Sequence, residues 1–368
     1  MRVLFQSRST LFSVPGGDTV QVLKTKEYLE KLGVDVDIST ELEPNLADYD
    51  LVHLFNLIRP QDVLVQVRNA KKQGKAVALS TIYGLYTEYD RLARSGITKL
   101  VSNNLPTSTL EYLKTIVRAI KNNEIHKGIV QYLVCGHTRA QQEIVSLVDV
   151  FLPNSVSEMK RVIADFEGAS GKSFVVVPNA VDTSLFDPAK VVVTDAMKKY
   201  EGCILCVARI EGRKSQLNLV RAMSGLPYQL VLIGKPAPNH LAYFEQIKEE
   251  AGANVHILGQ VNHDLLPQFY KAAKVHALIS WMETPGLSSI EAGVMESNLV
   301  VTDKGDPRDY FGSYAFYCDP GNVDSIREAL IDAHDSQLNT ELRSHILNNF
   351  TWERTAEKTL EGYHLALR

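Results

Sequence analysis

Short runs that are apolar on both faces alternate with amphipathic stretches along nearly the whole chain. The first run, RVLFQS, is followed by DTVQVLKTKEYLEKLG, a helical pattern with Asp18 as its N-cap and Gly33 as its stop. VDVDIST and YDLVHLFN follow, then a helix from about Pro60 to Gln73, then KAVALST. A strand apolar on both faces must be covered on both, which requires a parallel sheet with helices on each side. Residues 107 to 147 read as mostly helical. VDVFLPNS comes next, then a helix opened by a capping box of Ser155 and Glu158, then the strand SFVVVPNAVD. After Pro188 the alternation restarts with CILCVAR, a helix from Lys214 and YQLVLIGK. A helix around 240 to 251, VHILG, a helix from His263, VHALIS and LVVTD continue it, and the last helices run from about Val323.

A chain of 368 residues exceeds one hydrophobic core and suits two. The pattern therefore predicts an α/β protein of two Rossmann-like, doubly wound parallel-sheet domains facing across a cleft. The linker falls near 183 to 200, which sets the domains at 1–186 and 187–350. Ligands in such sheets bind at the carboxyl ends of the strands, and facing domains would hold a ligand between them. A net charge of −4 lacks the basic excess of a nucleic-acid binder, so no nucleic-acid partner is expected. No apolar run is long enough to span a bilayer. The stretch MRVLFQSRSTLFSVPGG lacks the core and cleavage site of a signal peptide, so a cytoplasmic location is expected. Cys203 and Cys206 sit three apart on one strand and point to opposite faces, so they make neither a redox pair nor a metal site. All four cysteines read as small buried residues.

Three segments carry chemistry. In WMETPGLSSIEAGVME, residues 281–296, Pro285 and Gly286 fit a helix start after the strand VHALIS. A helix start offers unpaired N–H groups and a positive dipole end, and Gly286 lets an anion approach the backbone. Glu283 lies just before it. Leu287 and Glu291 share a face, with Glu291 tilted back towards the start. The two acids either bracket one anion pocket, accepting hydrogen bonds from sugar hydroxyls, or are a helix-start acid and a solvent-facing glutamate. In VARIEGRKSQLNLVRA, Arg209 ends a strand and Lys214 begins the next helix. Two cations there could hold a diphosphate leaving group without a metal ion, or be two solvated surface charges. Arg213, between them, reads as a surface residue. In SVPGGDTVQ, glycines follow the first strand and allow close backbone approach, as a simple flexible loop also would.

Taken in order, these segments resemble the GT4 family of retaining GT-B glycosyltransferases. METPGLSSIEAGVME resembles that family's E-x7-E element and VARIEGRK its arginine-lysine phosphate clamp. VVVPNAVDTSLFDP resembles its last N-domain segment, with Ala180 in place of glycine, and VPGGDTVQ its glycine loop. FTWERTAEKTLEGY is similar to the terminal helix that crosses back, which implies that 351–368 packs on the first domain. The resemblance implies that Glu283 meets the donor sugar and Glu291 the nucleotide ribose. Pro285, Gly286 and Leu287 would present backbone to sugar and diphosphate, and Arg209 and Lys214 would hold the phosphates. Gly16 and Gly17 would sit beside the diphosphate, and the turn from Gly259 to Val261 near the base.

The implied activity is that of a hexosyltransferase-type enzyme of polysaccharide or glycoconjugate biosynthesis. It would move sugar from a UDP- or GDP-sugar to a saccharide or lipid-linked saccharide. The resemblance further implies retention of configuration. No DxD motif stands at the clamp, so no metal or other cofactor is expected. Many relatives carry a histidine after the strand corresponding to KAVALSTIYG. Here the residue is Tyr83, which leaves the acceptor side to Tyr83 or to His53 in DLVHLFN, unless both only pack. LEYLKTIVRAIKNNEIHKG is amphipathic and carries Lys114, Arg118, Lys121 and Lys127. It is either an ordinary solvated face or a peripheral contact with an anionic inner-membrane surface. Two rival readings are a GT-B-like sugar-nucleotide epimerase and an inactive GT-B partner subunit.

Overall fold

The runs apolar on both faces form two six-stranded sheets, and every described pairing is parallel. The computed structural model describes residues 1–92, 105–121 and 126–368, except the side chains of residues 87, 107, 118 and 121. The strands are β1 (Arg2–Gln6), β2 (Asp35–Ser39), β3 (Leu51–Phe55), β4 (Ala76–Ser80), β5 (Val150–Phe151) and β6 (Ser173–Phe174), followed by β7 (Ile204–Val207), β8 (Leu230–Ile233), β9 (Val255–Gly259), β10 (Val275–Leu278), β11 (Asn298–Thr302) and β12 (Ala315–Cys318). The first sheet has the order β2-β1-β3-β4-β5-β6, the second β12-β11-β10-β7-β8-β9.

Two compact units divide the chain. One comprises Met1–Leu85, the described part of 105–179, and Trp352–Arg368; the other comprises 86–92 and Ala180–Thr351. Residues 86–92 thus depart from the sequence-based division: they fall within 1–186 but pack with the second unit. Central strands such as β3 and β11 are buried throughout, whereas the outer β6 and β9 are not. In the first unit the helix Trp352–Ala366 supplies one covering element. Its Tyr363 hydroxyl lies 2.7 Å from His53 Nδ1, and its Thr355 hydroxyl donates to the Pro178 carbonyl at 2.7 Å. In the second unit alternate strand residues enter two apolar layers. Leu205, Val231 and Val301 face one, and Cys206, Leu232 and Val300 the other.

Several local expectations need correction. The first helix, Gly17–Lys31, is capped by Gly16, while Asp18 lies in the first turn and binds Arg8. Ser155 caps Val156–Asp165, but the Glu158 carboxylate turns inward instead of closing the box. It accepts from the Thr81 hydroxyl and from the N–H groups of Tyr83 and Asn154 at 2.6 and 2.7 Å. Lys214 ends a 3-10 turn, and the helix after it starts at Gln216. Only the first two residues of SFVVVPNAVD form a strand, although the N–H groups of Val175 and Val177 still donate to the Phe151 and Pro153 carbonyls and Val181 bridges to Thr351; β12 and the helix Pro307–Phe311 had no sequence expectation. Cys135 is half-buried; Cys203 and Cys206 are buried in opposite layers, and burial pushes their thiols up to about 12. No helix among the described residues is long and apolar enough to cross a membrane.

Two histidines sit inside the sheets. His53 in β3 gives Nδ1 to Tyr363 and Nε2 to Ser80 at 2.9 Å, and its ring stacks on Phe55 at 4.1 Å. His276 in β10 has no hydrogen-bond partner at either ring nitrogen among the described residues. Burial lowers both to about 3. Since the folded values lie below the unfolded one, the unfolded chain takes up protons first as pH falls. Stability is therefore held above pH 6.5 and lost progressively from there towards pH 3, by up to about 1.4 kcal/mol per pH unit for each histidine. Unfolding midpoints measured across that range should fall accordingly, and His276→Leu should flatten the slope. An unchanged slope in that variant would refute the assignment.

Candidate active site

In an open α/β sheet, binding residues gather where chain order reverses, outside the carboxyl ends of the strands. In the second sheet that point lies between β7 and β10, which are neighbours although β8 and β9 come between them in sequence. The loop after β7 carries Arg209 and Lys214, and the loop after β10 carries Glu283. The fold brings the two loops together. Lys214 Nζ donates to Glu283 Oε2 at 2.5 Å, with side chains 16% and 12% exposed. The backbone joins them too, since the Trp281 N–H donates to the Arg213 carbonyl at 2.9 Å.

Burial disfavours both charges, but their pairing outweighs it. Burial pulls Lys214 down, yet Glu283 lifts it above the usual lysine value. Burial pushes Glu283 up, yet Lys214 and the Ser280 hydroxyl, which donates at 2.6 Å, hold it below the usual carboxylate value. Both are therefore charged at neutral pH. Oε2 takes both of these bonds, so Oε1 keeps its acceptor capacity among the described residues. Arg209 is exposed, and its guanidinium has no partner among the described residues. Arg213 is not simply a surface residue. It is 36% exposed, bonds Glu211 at 2.6 Å and lies 4.8 Å from the Tyr86 ring centroid.

The backbone fixes Glu283 as firmly as its side chain does. Its carbonyl accepts from the Asp306 N–H at 2.9 Å, and it bridges to Gly305 in the loop after β11. Gly305 has φ +92°, and a Cβ there would lie 2.2 Å from the Glu283 carbonyl oxygen. After Glu283 come Pro285 and Gly286, the latter with φ +83° as N-cap of the helix Leu287–Val294. The N–H groups of Leu287 and Ser288 meet no acceptor among the described residues. Free N–H groups at a helix start are the kind of feature that suits an anion.

Glu291, one turn on, is 16% exposed. Its Oε2 accepts from the Tyr270 hydroxyl at 2.8 Å, and its Oε1 lies 3.8 Å from His263 Nε2. The nearby Glu291 carboxylate raises His263 despite its partial burial. At the end of β9, Gly259 has φ +71° and accepts from the Gly234 N–H at 2.7 Å, and Val261 is half-buried against the core. Ser280, Tyr270, His263 and Gly305 escaped the sequence reading. A serine at a strand end and a tyrosine in a buried helix carry no local pattern that marks them.

The residues expected in the first unit divide differently. Gly16 begins the first helix, its N–H bonded to Thr19 Oγ1 at 3.1 Å, and Gly17 is exposed. The loop before them is braced by Arg8, which is buried and reaches Asp18, Thr10 and the Val14 carbonyl. His53 does not line a surface: it is wholly buried in mid-strand with both nitrogens used. Tyr83 is buried as well, with its hydroxyl on Asp165 at 2.8 Å and its ring edge against Phe166. Neither is available to an acceptor. Lys114 pairs with Glu111 at 2.7 Å and Lys127 with Glu43 at 2.5 Å. The side chains of Arg118 and Lys121 lie outside the described residues.

With this geometry, residues 195–350 match the family described as glycosyl transferases group 1. D-inositol 3-phosphate glycosyltransferase of Corynebacterium urealyticum is 25% identical over 95% of this chain and 90% of its own. Sucrose-phosphate synthase of Thermosynechococcus elongatus superposes with a TM-score of 0.74 at 16% identity, covering 99% of this chain and 98% of its own. Anabaena HepE, solved with UDP and glucose, superposes with a TM-score of 0.67 at 15% identity over 99% of both chains. The chain has the GT-B fold, and its second unit carries the match to the group 1 glycosyl transferases.

Proposed function

We propose that this chain is a retaining glycosyltransferase that uses a UDP- or GDP-linked sugar and needs no metal. The observation that carries the reading is the Lys214–Glu283 pair at the switch point, beside the unpartnered Arg209. Arg209 and Lys214 neutralise the diphosphate as it leaves, and the helix start at Gly286 supplies backbone N–H groups to it. Glu283, ionised and with Oε1 unused, accepts from hydroxyls of the donor sugar. Glu291 does the same for the ribose, with Tyr270 holding its other oxygen. Gly259 and Val261 line the base. A same-face attack assisted by the leaving phosphate preserves the configuration of the donor. The UDP and glucose bound by HepE support a nucleotide-sugar donor.

Lys214→Ala and Glu283→Gln should each lower transfer kcat/KM by about 100-fold or more, the scale of a lost electrostatic donor. In thermal-shift assays wild type should gain roughly 2.7 kcal/mol from UDP or GDP at a hundredfold its Kd, and Lys214→Ala should lose most of that gain. Folded variants with unchanged transfer would sink the site. Release of free nucleotide with no acceptor glycosylated would favour an epimerase. Transfer should also survive EDTA, and its abolition by chelation would overturn the metal-free mechanism.

We further propose that the acceptor is a saccharide carried on lipid. Leu113, Val117 and Ile120 follow one face of the helix Thr107–Lys121, the last two 63% and 67% exposed. Val130 and Val134 add exposed apolar surface on the adjoining helix Lys127–Cys135, 55% and 86% exposed. The Tyr112 hydroxyl ties the two helices by donating to the Leu133 carbonyl at 2.9 Å. This face suits the interfacial layer of an anionic bilayer. Val117→Asp with Ile120→Asp should abolish co-sedimentation with vesicles containing anionic phospholipid and leave nucleotide binding intact. Undiminished co-sedimentation would remove this face as the contact.

A further inference from the structure

Residues 86–92 follow β4 in sequence, after the turn 81–85, yet they pack with the second unit. They form a short strap that opens the helix Thr87–Leu92, in which the Asp90 N–H donates to the Tyr86 carbonyl at 2.8 Å. The strap meets three loops, and all three leave the carboxyl ends of strands in the second sheet. After β7, the Arg213 guanidinium lies 4.8 Å from the Tyr86 ring centroid. At the same loop Tyr89 fills the notch over Gly212, where a Cβ would stand 2.3 Å from its hydroxyl. After β10, the Tyr89 ring lies 6.4 Å from that of Trp281, two residues before Glu283. After β11, Glu88 pairs with Lys304 at 3.1 Å, one residue before Gly305.

These contacts surround the Lys214–Glu283 pair without using either side chain as a partner. Tyr86 is near enough for its hydroxyl to favour the charged form of Lys214, though less than Glu283 does. The contacts of the strap differ in kind. Tyr86 on Arg213 is a cation–π contact on a half-buried cation. Glu88 and Lys304 are 42% and 29% exposed, so their pair adds little to folding stability. An ion pair of that kind can open and close, and its worth lies in where it puts the strap.

We propose that the strap is an added wall of the nucleotide-diphosphate site and that Glu88–Lys304 is the latch that sets its closure over bound donor. This rests on the donor reading of Lys214 and Glu283. Glu88 acts as a positioning residue, through Lys304 and the strap. The sign of its effect separates the proposal from plain electrostatics. Removing a negative charge beside an anion site should tighten diphosphate binding if charge alone matters. It should weaken binding if the latch matters.

The test is calorimetric titration of the full chain with UDP and with GDP, alongside steady-state transfer. Glu88→Gln is expected to weaken nucleotide binding roughly two- to fivefold, the scale of an exposed ion pair. The donor KM should rise in step while kcat at saturating donor stays unchanged. Lys304→Glu should weaken binding as well, and combining it with Glu88→Lys should restore wild-type affinity. Tyr86→Phe, which keeps the ring over Arg213, should bind as wild type, and Tyr86→Ala should weaken binding. Tighter or unchanged binding in Glu88→Gln would overturn the latch, as would a charge swap that fails to restore affinity. If neither nucleotide binds the wild-type chain, the donor reading fails first and the strap with it.

Discussion

The second unit is organised around one ion pair, Lys214 with Glu283. Taken singly, each charge would be costly in a site so little exposed, and burial would drive it towards neutrality. Together they remain charged, and Ser280 completes the arrangement from the end of the same strand as Glu283. Such a pair is a poor device for stability, since a well-packed apolar pair of similar volume would often serve as well. Its value is preorganisation. It ties the loop after β7 to the loop after β10 across the switch point, and it keeps a cation and an acceptor oxygen at fixed places before any ligand arrives. Arg209, exposed and unpartnered among the described residues, supplies the charge that the pair does not use up.

Much of this was legible in the sequence, for definite reasons. Runs apolar on both faces dictate parallel sheets, and they located both sheets and eleven of the twelve strands among the described residues. The outliers are instructive. β12 is only half-buried over most of its length, so AFYC lacks the uniform apolar signal of a central strand. SFVVVPNAVD has that signal, but it runs along an edge where the regular ladder ends after two residues and only scattered backbone bonds follow. Glu283 and Lys214 could be singled out because charged residues in loops at strand ends are a local pattern, but their roles came from the family resemblance, since spacing alone also fitted plain surface charges. Ser280, Tyr270, His263 and Gly305 were not, because their roles arise only when segments distant in sequence meet.

His53 and Tyr83 show the opposite failure. Both stand on or beside strands whose ends should face a ligand, and both carry groups suited to hydrogen bonding. Period-two alternation cannot tell which face of a doubly covered sheet holds a packed helix. Here Tyr363, on a helix more than three hundred residues later in the chain, closes over His53. Tyr83 is drawn inward by Asp165, while the buried Glu158 collects its N–H along with that of Asn154 and the Thr81 hydroxyl. Polar groups so fully satisfied act as structure: each has a partner that water or substrate would have to displace.

Rigidity in the second unit is graded, and the gradient follows the chemistry. Gly286 and Gly305 hold positive φ where a side chain would strike Leu278 or the Glu283 carbonyl, so the backbone around Glu283 has little room to move. Leu287–Val294 packs its buried face on Leu342 and Ile346, which fixes the helix start from behind. Against this firm floor the fastenings of the strap 86–92 include a cation–π contact, a tyrosine in a glycine notch and one exposed ion pair. Elements held by few buried contacts open at low free energy, whereas packed elements open only near the global limit. A site that must admit a charged, hydrated substrate and then exclude water needs both behaviours side by side. The loops after β7, β10 and β11 supply the fixed part, and the strap that crosses them, with its exposed Glu88–Lys304 pair, is the part proposed to move.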